Sequence, residues 1–185
     1  MTAFTLRDAR EDDAPALQRI YADAVLHGTA TYEIVPPDAA EMLNRWRTLT
    51  SQGYPYIVAC DASGEVVAYA YAGPFRARPA YRWSVEDSIY IDPAAKGQGL
   101  GRMLLERLVE LSQELGFRQM IAVIGGADHQ PSIRVHARAG FRHIGIFEGS
   151  GFKFGRWIDT VFMQLELNGG KSTLPDETRY PGTLL

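Results

Sequence analysis

Between residues 84 and 116 a strand-like stretch, a glycine-rich turn and a helix-like stretch follow one another, with an acid just upstream of the turn. Gly97, Gly99 and Gly101 alternate soon after Asp92-Pro93, and Leu100, Leu104, Leu108, Leu111 and Leu115 then share one helical face that Gly116 can end. Glycine lets backbone N–H groups approach a phosphate, and the free N–H groups of a first helical turn face it. Upstream, strand alternation sets Glu86, Ser88 and Tyr90 opposite Val85, Ile89 and Ile91. A carboxylate carried by a strand into a buried site gains proton affinity, which suits Glu86 to act as a general base. Asp87, on the other face, is the weaker rival. His136 lies on a short predicted helix and titrates near neutrality, so it can pass a proton; bonded to backbone it would be structural instead. Cys60 sits mid-strand in an apolar run and reads as a buried structural thiol. No His, Cys and carboxylate cluster has metal-ligand spacing, so no metal is expected.

Three kinds of phosphate cradle compete for the turn. A dinucleotide fingerprint, G-x-G-x-x-G, needs a glycine where Arg102 stands. A P-loop needs one at Leu165 ahead of Gly170-Lys171-Ser172, and Pro175 interrupts any following helix. Lys96-Gly-Gln-Gly99-Leu-Gly101 instead resembles the [QR]-x-x-G-x-[GA] loop of the GNAT acetyltransferases, with Lys96 in place of Gln or Arg. A plain strand-to-helix turn is the bland alternative. Five further segments match in order and spacing. Tyr81-Arg-Trp-Ser-Val-Glu-Asp-Ser88, Met120-Ile-Ala-Val-Ile124, Ser132-Ile-Arg-Val-His136, Ala139-Gly-Phe141 and Gly151-Phe-Lys-Phe-Gly-Arg-Trp-Ile-Asp159 are similar to the phosphinothricin and methionine-sulfoximine N-acetyltransferase branch. The resemblance covers residues 4–167.

What the resemblance implies is acetyl-CoA as cosubstrate and direct acetyl transfer, in a ternary complex, to the α-amine of a small amino-acid-like substrate. Methionine sulfoximine, methionine sulfone and phosphinothricin are the implied acceptors. In that reading Lys96, Gly97, Gln98, Gly99, Leu100 and Gly101 hold the pyrophosphate. Ser88, Ile89, Tyr90 and Ile91 run beside the pantetheine arm, and Tyr90 or a neighbour gives the N–H that polarises the thioester carbonyl. His129 stands where the family has an asparagine on the pantetheine, and Ser132 joins the cofactor side. Glu86 matches the family's base, and His136 its general acid near the CoA sulfur. Arg76, Arg78 and Arg82 offer a bidentate partner for the substrate carboxylate, one of the three being enough. Phe75, Val85, Asp87 and Tyr32 are assigned to the substrate wall, with Trp157 a further candidate. A homodimer is implied as well. Two rival functions remain: acetylation of peptide N-termini, which needs an open groove, and a sensor that binds acyl-CoA without catalysis.

The elements that must position these residues follow from periodicity. The order is β-α-α-β-β-β-α-β-α-β-β, about seven strands and about four helices; the resemblance implies the α/β mixed fold of the GNAT kind, with a mostly antiparallel sheet and helices on both faces. Leu17, Ile20, Tyr21, Ala24 and Val25 mark the first helix, and Asp38 with Glu41 is spaced as a capping box for the second. Asp61-Ala-Ser-Gly64 turns a hairpin. The last two strands are expected over residues 142–147 and 158–167. One domain, residues 1–167, precedes a polar, Gly- and Pro-bearing 168–185 segment read as a loose extension. The 185-residue chain carries a net charge of −3, which gives no electrostatic case for nucleic acid. A single cysteine excludes an internal disulfide and points to a reducing compartment. With no apolar run near 18 residues and no signal peptide, the expected location is cytoplasmic, away from any membrane.

Overall fold

Side chains alternate across a central sheet and so create two apolar layers. In the computed structural model, which describes residues 4–179, seven strands and four helices run in the order read from the sequence. The strands are β1 (Thr5–Asp8), β2 (Tyr56–Cys60), β3 (Val66–Pro74), β4 (Ser84–Ile91), β5 (Gln119–Gly125), β6 (Arg142–Lys153) and β7 (Arg156–Glu166). The helices are α1 (Ala14–His27), α2 (Ala39–Ser51), α3 (Leu100–Glu114) and α4 (Gln130–Arg138). One face of the sheet buries Ile57, Ala59, Ala68, Ala70 and Val85 against Leu100, Leu104, Leu105 and Leu108 of α3. The intervening residues Tyr56, Val58, Tyr69 and Tyr90 point the other way, onto Leu17, Ile20, Tyr21 and Val25 of α1. Small residues on the α3 side leave room for its leucines; the opposite face fills its space with stacked tyrosines.

The strand order is β1-β2-β3-β4-β5-β7-β6, and every neighbouring pair is antiparallel except β4 with β5. That parallel pair is short. It runs from Ser84 opposite Gln119 to Asp87 opposite Ala122 and stops. Beyond it β4 stays with β3 as far as Ile91 opposite Ala68, whereas β5 stays with β7 as far as Gly125 opposite Thr160. Each strand follows its antiparallel partner, so the two part and leave a gap in mid-sheet.

Three local expectations are corrected. Asp38 does cap α2, accepting the Glu41 N–H at 2.8 Å, but the Glu41 carboxylate receives Arg45 at 2.8 Å instead of completing the box. β6 does not stop at Phe147: it runs to Lys153 and returns into β7 through Phe154 and Gly155, both at positive φ. That is the backbone of a two-residue hairpin, and a phenylalanine in its first position hides it from sequence reading. The segment after Leu167 is tied down at its start. Asn168 donates to the carbonyls of Gln113 and Phe117, and Arg118 donates to the Gly170 carbonyl at 2.8 Å. The end of the expected extension, residues 180–185, lies outside the described residues, as do residues 1–3.

Leu104 is fully buried in the α3 layer. Replacing it with alanine is expected to lower stability by about 2–5 kcal/mol, read from urea denaturation midpoints.

Candidate active site

The gap between β4 and β5 opens into a cavity of about 300 Å³. Its walls are residues 86–90 of β4, residues 122–125 of β5, the loop 29–32 after α1, and His129, Ser132 and His136 at α4. At one end of β4 stands the glycine turn. Asp92 closes it by accepting the Ala94 N–H at 2.9 Å, and Gly97 and Gly99 adopt φ of 80° and 87°. A side chain at either position would be strained in that backbone, although the space around both is open. Gly99 is the N-cap of α3 and has no side chain to satisfy the first-turn N–H groups, so they are available to an anion. The strand edge of residues 88–91 facing the gap likewise has no β5 partner, so it can hydrogen-bond an extended ligand. Gap, edge and cradle together fit a phosphate-bearing ligand with an amide-containing arm. Lys96 and Gln98 are exposed at the cradle, while Leu100 is core.

Glu86 stands where this cavity meets a second one of about 400 Å³, whose walls include Tyr21, Arg45, Tyr56, Tyr69 and Tyr71. Burial, reinforced by the neighbouring Asp87 charge and opposed by Arg76, pushes its pKa up to about 7. Tyr71 lies on β3 opposite Ser88. Burial raises the Tyr71 pKa, the bond with Ser88 offsets part of that, and the Glu86 charge adds to it.

Strand parity puts Asp87 on the opposite face, and there it meets His136. The His136 Nε2 is 2.9 Å from Asp87 Oδ2, and Nδ1 is 2.8 Å from the Ser132 carbonyl. Both side chains are buried. Burial alone would lower the His136 pKa; the Asp87 bond and charge outweigh it and raise it above the ordinary value. The second Asp87 oxygen, Oδ1, is buried without a hydrogen-bond partner. His129, the N-cap of α4, is shifted the other way: burial lowers its pKa, and Lys96 adds to that.

The remaining wall is carried by the loop after α1 and is fixed from β5, β6 and β7. Lys153, only 4% exposed, donates to the carbonyls of Gly28 and Thr31 at 2.8 and 2.9 Å. Thr29 Oγ1 donates to the Gly125 carbonyl at 2.7 Å, and the Tyr32 hydroxyl is 2.6 Å from Thr160 Oγ1. The approach is close: a Cβ on Gly125 would lie 2.0 Å from the Thr29 carbonyl oxygen.

Of the residues singled out by sequence, the structure gathers Glu86, Asp87, Ser88, Ile89, Tyr90, His129, Ser132, His136 and Tyr32 around one cavity. Others go elsewhere. Val85 is fully buried in the α3 layer, and Ile91 packs against that same layer. Gly101 lies under the Ile91 and Val135 side chains. Phe75 packs on Tyr81, with Arg76 over its ring 5.1 Å from the centroid. Arg76 is nonetheless near enough to influence Glu86. Arg78 is exposed ahead of a short 3-10 turn, Pro79–Tyr81. Arg82 turns to Glu177 at 3.1 Å and lies over Trp83, away from both cavities. Trp157 is 70% exposed beside Phe152, so it does not wall the cavity. Sequence reading missed the Asp87–His136 pair, Tyr71 and Lys153. Parity along β4 put Asp87 opposite Glu86, but nothing local indicated that α4 would bring a histidine to it. Cys60 is buried, as its apolar setting implied. Among the described residues no helix is long and apolar enough to cross a membrane.

Sheet topology, gap and cradle define a GNAT-type acyltransferase fold, and the chain matches the Acetyltransferase (GNAT) domain family over residues 6–162; it belongs to that family. Within it, the chain is 48% identical over 174 residues to a phosphinothricin N-acetyltransferase of Alcaligenes faecalis, covering 94% of this chain and 88% of the relative. It is 40% identical over 168 residues to the L-methionine sulfoximine/L-methionine sulfone acetyltransferase of Pseudomonas aeruginosa, covering 91% of this chain and 97% of that one. A crystal structure of a phosphinothricin acetyltransferase from Sinorhizobium meliloti in complex with AcCoA superposes with a TM-score of 0.94 at 53% identity, covering 97% of each chain.

Because a Cβ at Gly125 meets backbone and not a flexible side-chain tip, Gly125→Ala is expected to displace the 29–32 loop and lower stability by about 2–4 kcal/mol. Differential scanning calorimetry measures the loss, and amide exchange at residues 29–32 locates it.

Proposed function

We propose that this chain acetylates the α-amine of a small amino-acid-like substrate, with acetyl-CoA as donor and direct transfer in a ternary complex. The observation that carries the reading is the position of Glu86: it has a high proton affinity and stands where the strand gap meets a second cavity. Relatives named for phosphinothricin, methionine sulfoximine and methionine sulfone support that acceptor class. A solved relative bound to AcCoA supports the donor. The second cavity, of about 400 Å³, is of a size that suits a small acceptor, and Glu86 and His136 together favour catalysis over sensing.

In this reading the donor presents its acetyl group as a thioester, and the chain's residues do the rest. Lys96, Gly97, Gln98, Gly99, Leu100 and Gly101 seat the pyrophosphate at the start of α3. The free edge of residues 88–91, with His129 and Ser132 across the gap, seats the pantetheine, and an N–H near Tyr90 polarises the carbonyl. Arg76, the loop arginine whose charge reaches Glu86, takes the substrate carboxylate. Tyr32 and Asp87 bound the acceptor space. Glu86 takes a proton from the ammonium, so that the amine nitrogen can form the new C–N bond as the C–S bond breaks onto sulfur. Of the two protons the ammonium loses, one leaves through Glu86 to solvent and the other ends on the CoA sulfur. His136 serves the leaving sulfur from the α4 side.

A thiol-release assay across methionine sulfoximine, methionine sulfone, phosphinothricin, plain amino acids and a short peptide tests the acceptor class; preference for the peptide would overturn it. Ionised Glu86 is the active form, so kcat/KM is expected to rise with pH through about 7. Glu86→Gln should remove that inflection and cut kcat by about 100-fold or more, with acetyl-CoA affinity by calorimetry nearly unchanged. Near-normal turnover would remove Glu86 as the base.

The partner proposed for this chain is a second copy of itself, in the cytoplasm. β6 is one of the two outer strands of the sheet, and it and the adjoining hairpin expose Ile144, Ile146, Phe147, Phe152, Phe154 and Trp157. An open strand edge bearing this much exposed apolar surface favours burial against another chain. Sedimentation velocity is expected to give a dimer, with Trp157→Arg shifting it toward monomer; a monomeric parent chain would refute the proposal.

A further inference from the structure

His136 Nε2 faces Asp87, and Nδ1 faces two atoms of Ser132, the carbonyl oxygen at 2.8 Å and the hydroxyl farther off at 3.4 Å. The carbonyl, much the nearer, has no proton to give, so Nδ1 carries one and donates it there. Asp87 Oδ2, 2.9 Å from Nε2, belongs to a carboxylate, which when ionised only accepts. An ionised Asp87 therefore requires a doubly protonated imidazolium. The rest of the surroundings agree. Phe141 presents an edge-to-face contact, with ring centroids 5.0 Å apart, and competes for neither nitrogen. The other titratable groups nearby are Glu86, next to Asp87 on β4, and His129 at the start of α4, whose own pKa the His136 charge helps to lower. Neither is a hydrogen-bond partner of the ring. Removing one member of a buried charged pair leaves the other uncompensated.

We propose that Asp87 is a positioning residue for the reaction: it fixes His136 as a doubly protonated imidazolium that faces the leaving sulfur as a permanent positive charge and keeps both of its protons. This rests on the acetyl-transfer reading above. When the C–S bond breaks, its electron pair stays on sulfur, and the nearby cation stabilises the thiolate. The proton that finally reaches sulfur comes from the amine through solvent, and His136 begins and ends the cycle in the same state. The role differs from that of a histidine acid, which must be deprotonated and reloaded each turnover. It also explains why both N–H groups are committed to protein acceptors. Glu86 and Asp87, adjacent in sequence, then divide the work: one changes its protonation, and the other prevents His136 from changing.

The state of His136 can be measured without turnover, by NMR titration of histidine-labelled protein, with His136→Asn identifying the resonance among the four histidines. The expected result is an imidazolium at pH 7.5 in the parent chain and a ring that loses its proton at lower pH in Asp87→Asn. An ordinary titration near 6.5 in the parent chain would overturn the proposal whatever the activity. Turnover tests the second half. Because the Asp87 charge also raises the Glu86 pKa, the comparison is made in a Glu86→Gln background: adding Asp87→Asn should lower kcat by about 10- to 100-fold at pH 8, with recovery toward pH 6, where the variant's His136 regains its proton, and the KM for acetyl-CoA changed less than about threefold. A ratio that is flat with pH would mark Asp87 as structural only and refute the positioning role. If no amine on the panel releases thiol, the acetyl-transfer reading and this catalytic half fail together, while the NMR titration decides the ion pair on its own.

Discussion

The parting of β4 and β5 after Asp87 and Ala122 is the constraint on which the rest of the site depends. Parallel strands held together over four residue pairs are pulled apart because each continues with a different antiparallel neighbour. The break leaves backbone hydrogen-bonding groups without a strand partner in the middle of a sheet, a costly arrangement unless something else satisfies them. It also fixes where everything else must be. The glycine turn follows the free end of β4, α4 follows the free end of β5, and the loop after α1 closes over the gap.

Charge is handled differently on the two faces of β4. Glu86 points to a partly buried junction between cavities, where burial raises its proton affinity and Arg76 only partly opposes. Asp87 points into the opposite layer and finds a histidine there. One residue of register separates a carboxylate whose proton affinity burial raises from one hydrogen-bonded to a buried histidine, because successive strand residues face opposite sides. A shift by a single position would exchange the two environments.

The cavity wall formed by the loop after α1 depends on distant strands in the same way. Lys153 reaches back to the carbonyls of Gly28 and Thr31, and Gly125 allows Thr29 to approach its backbone. The buried ammonium offsets its desolvation with those two carbonyl acceptors, while burial holds its pKa below the ordinary lysine value. The loop is therefore placed by β5, β6 and β7 as much as by the helices it connects. The long β6 that carries Lys153 also exposes the apolar side chains proposed to meet a second copy.

The sequence by itself determined the order of elements, the alternation of faces along β4 and β7, the glycine cradle before α3 and the candidate base at Glu86. These follow from periodicities of 2 and 3.6 and from the backbone demands of glycine, which are local and legible along the chain. It also carried the family resemblance, through motifs in order and at spacing. The length of β6 escaped it, because Phe154 in a left-handed turn position is a poor hairpin signal. So did the fate of the loop arginines, since Arg82 is drawn to Glu177 in the tail while Arg76 stays near Glu86. The partners of Asp87, His136 and Lys153 were decided only by the tertiary structure. Asp87 and His136 are 49 residues apart, and Lys153 binds a carbonyl 125 residues away. Pairings over such separations are set by how the sheet stacks its neighbours, which no local pattern encodes.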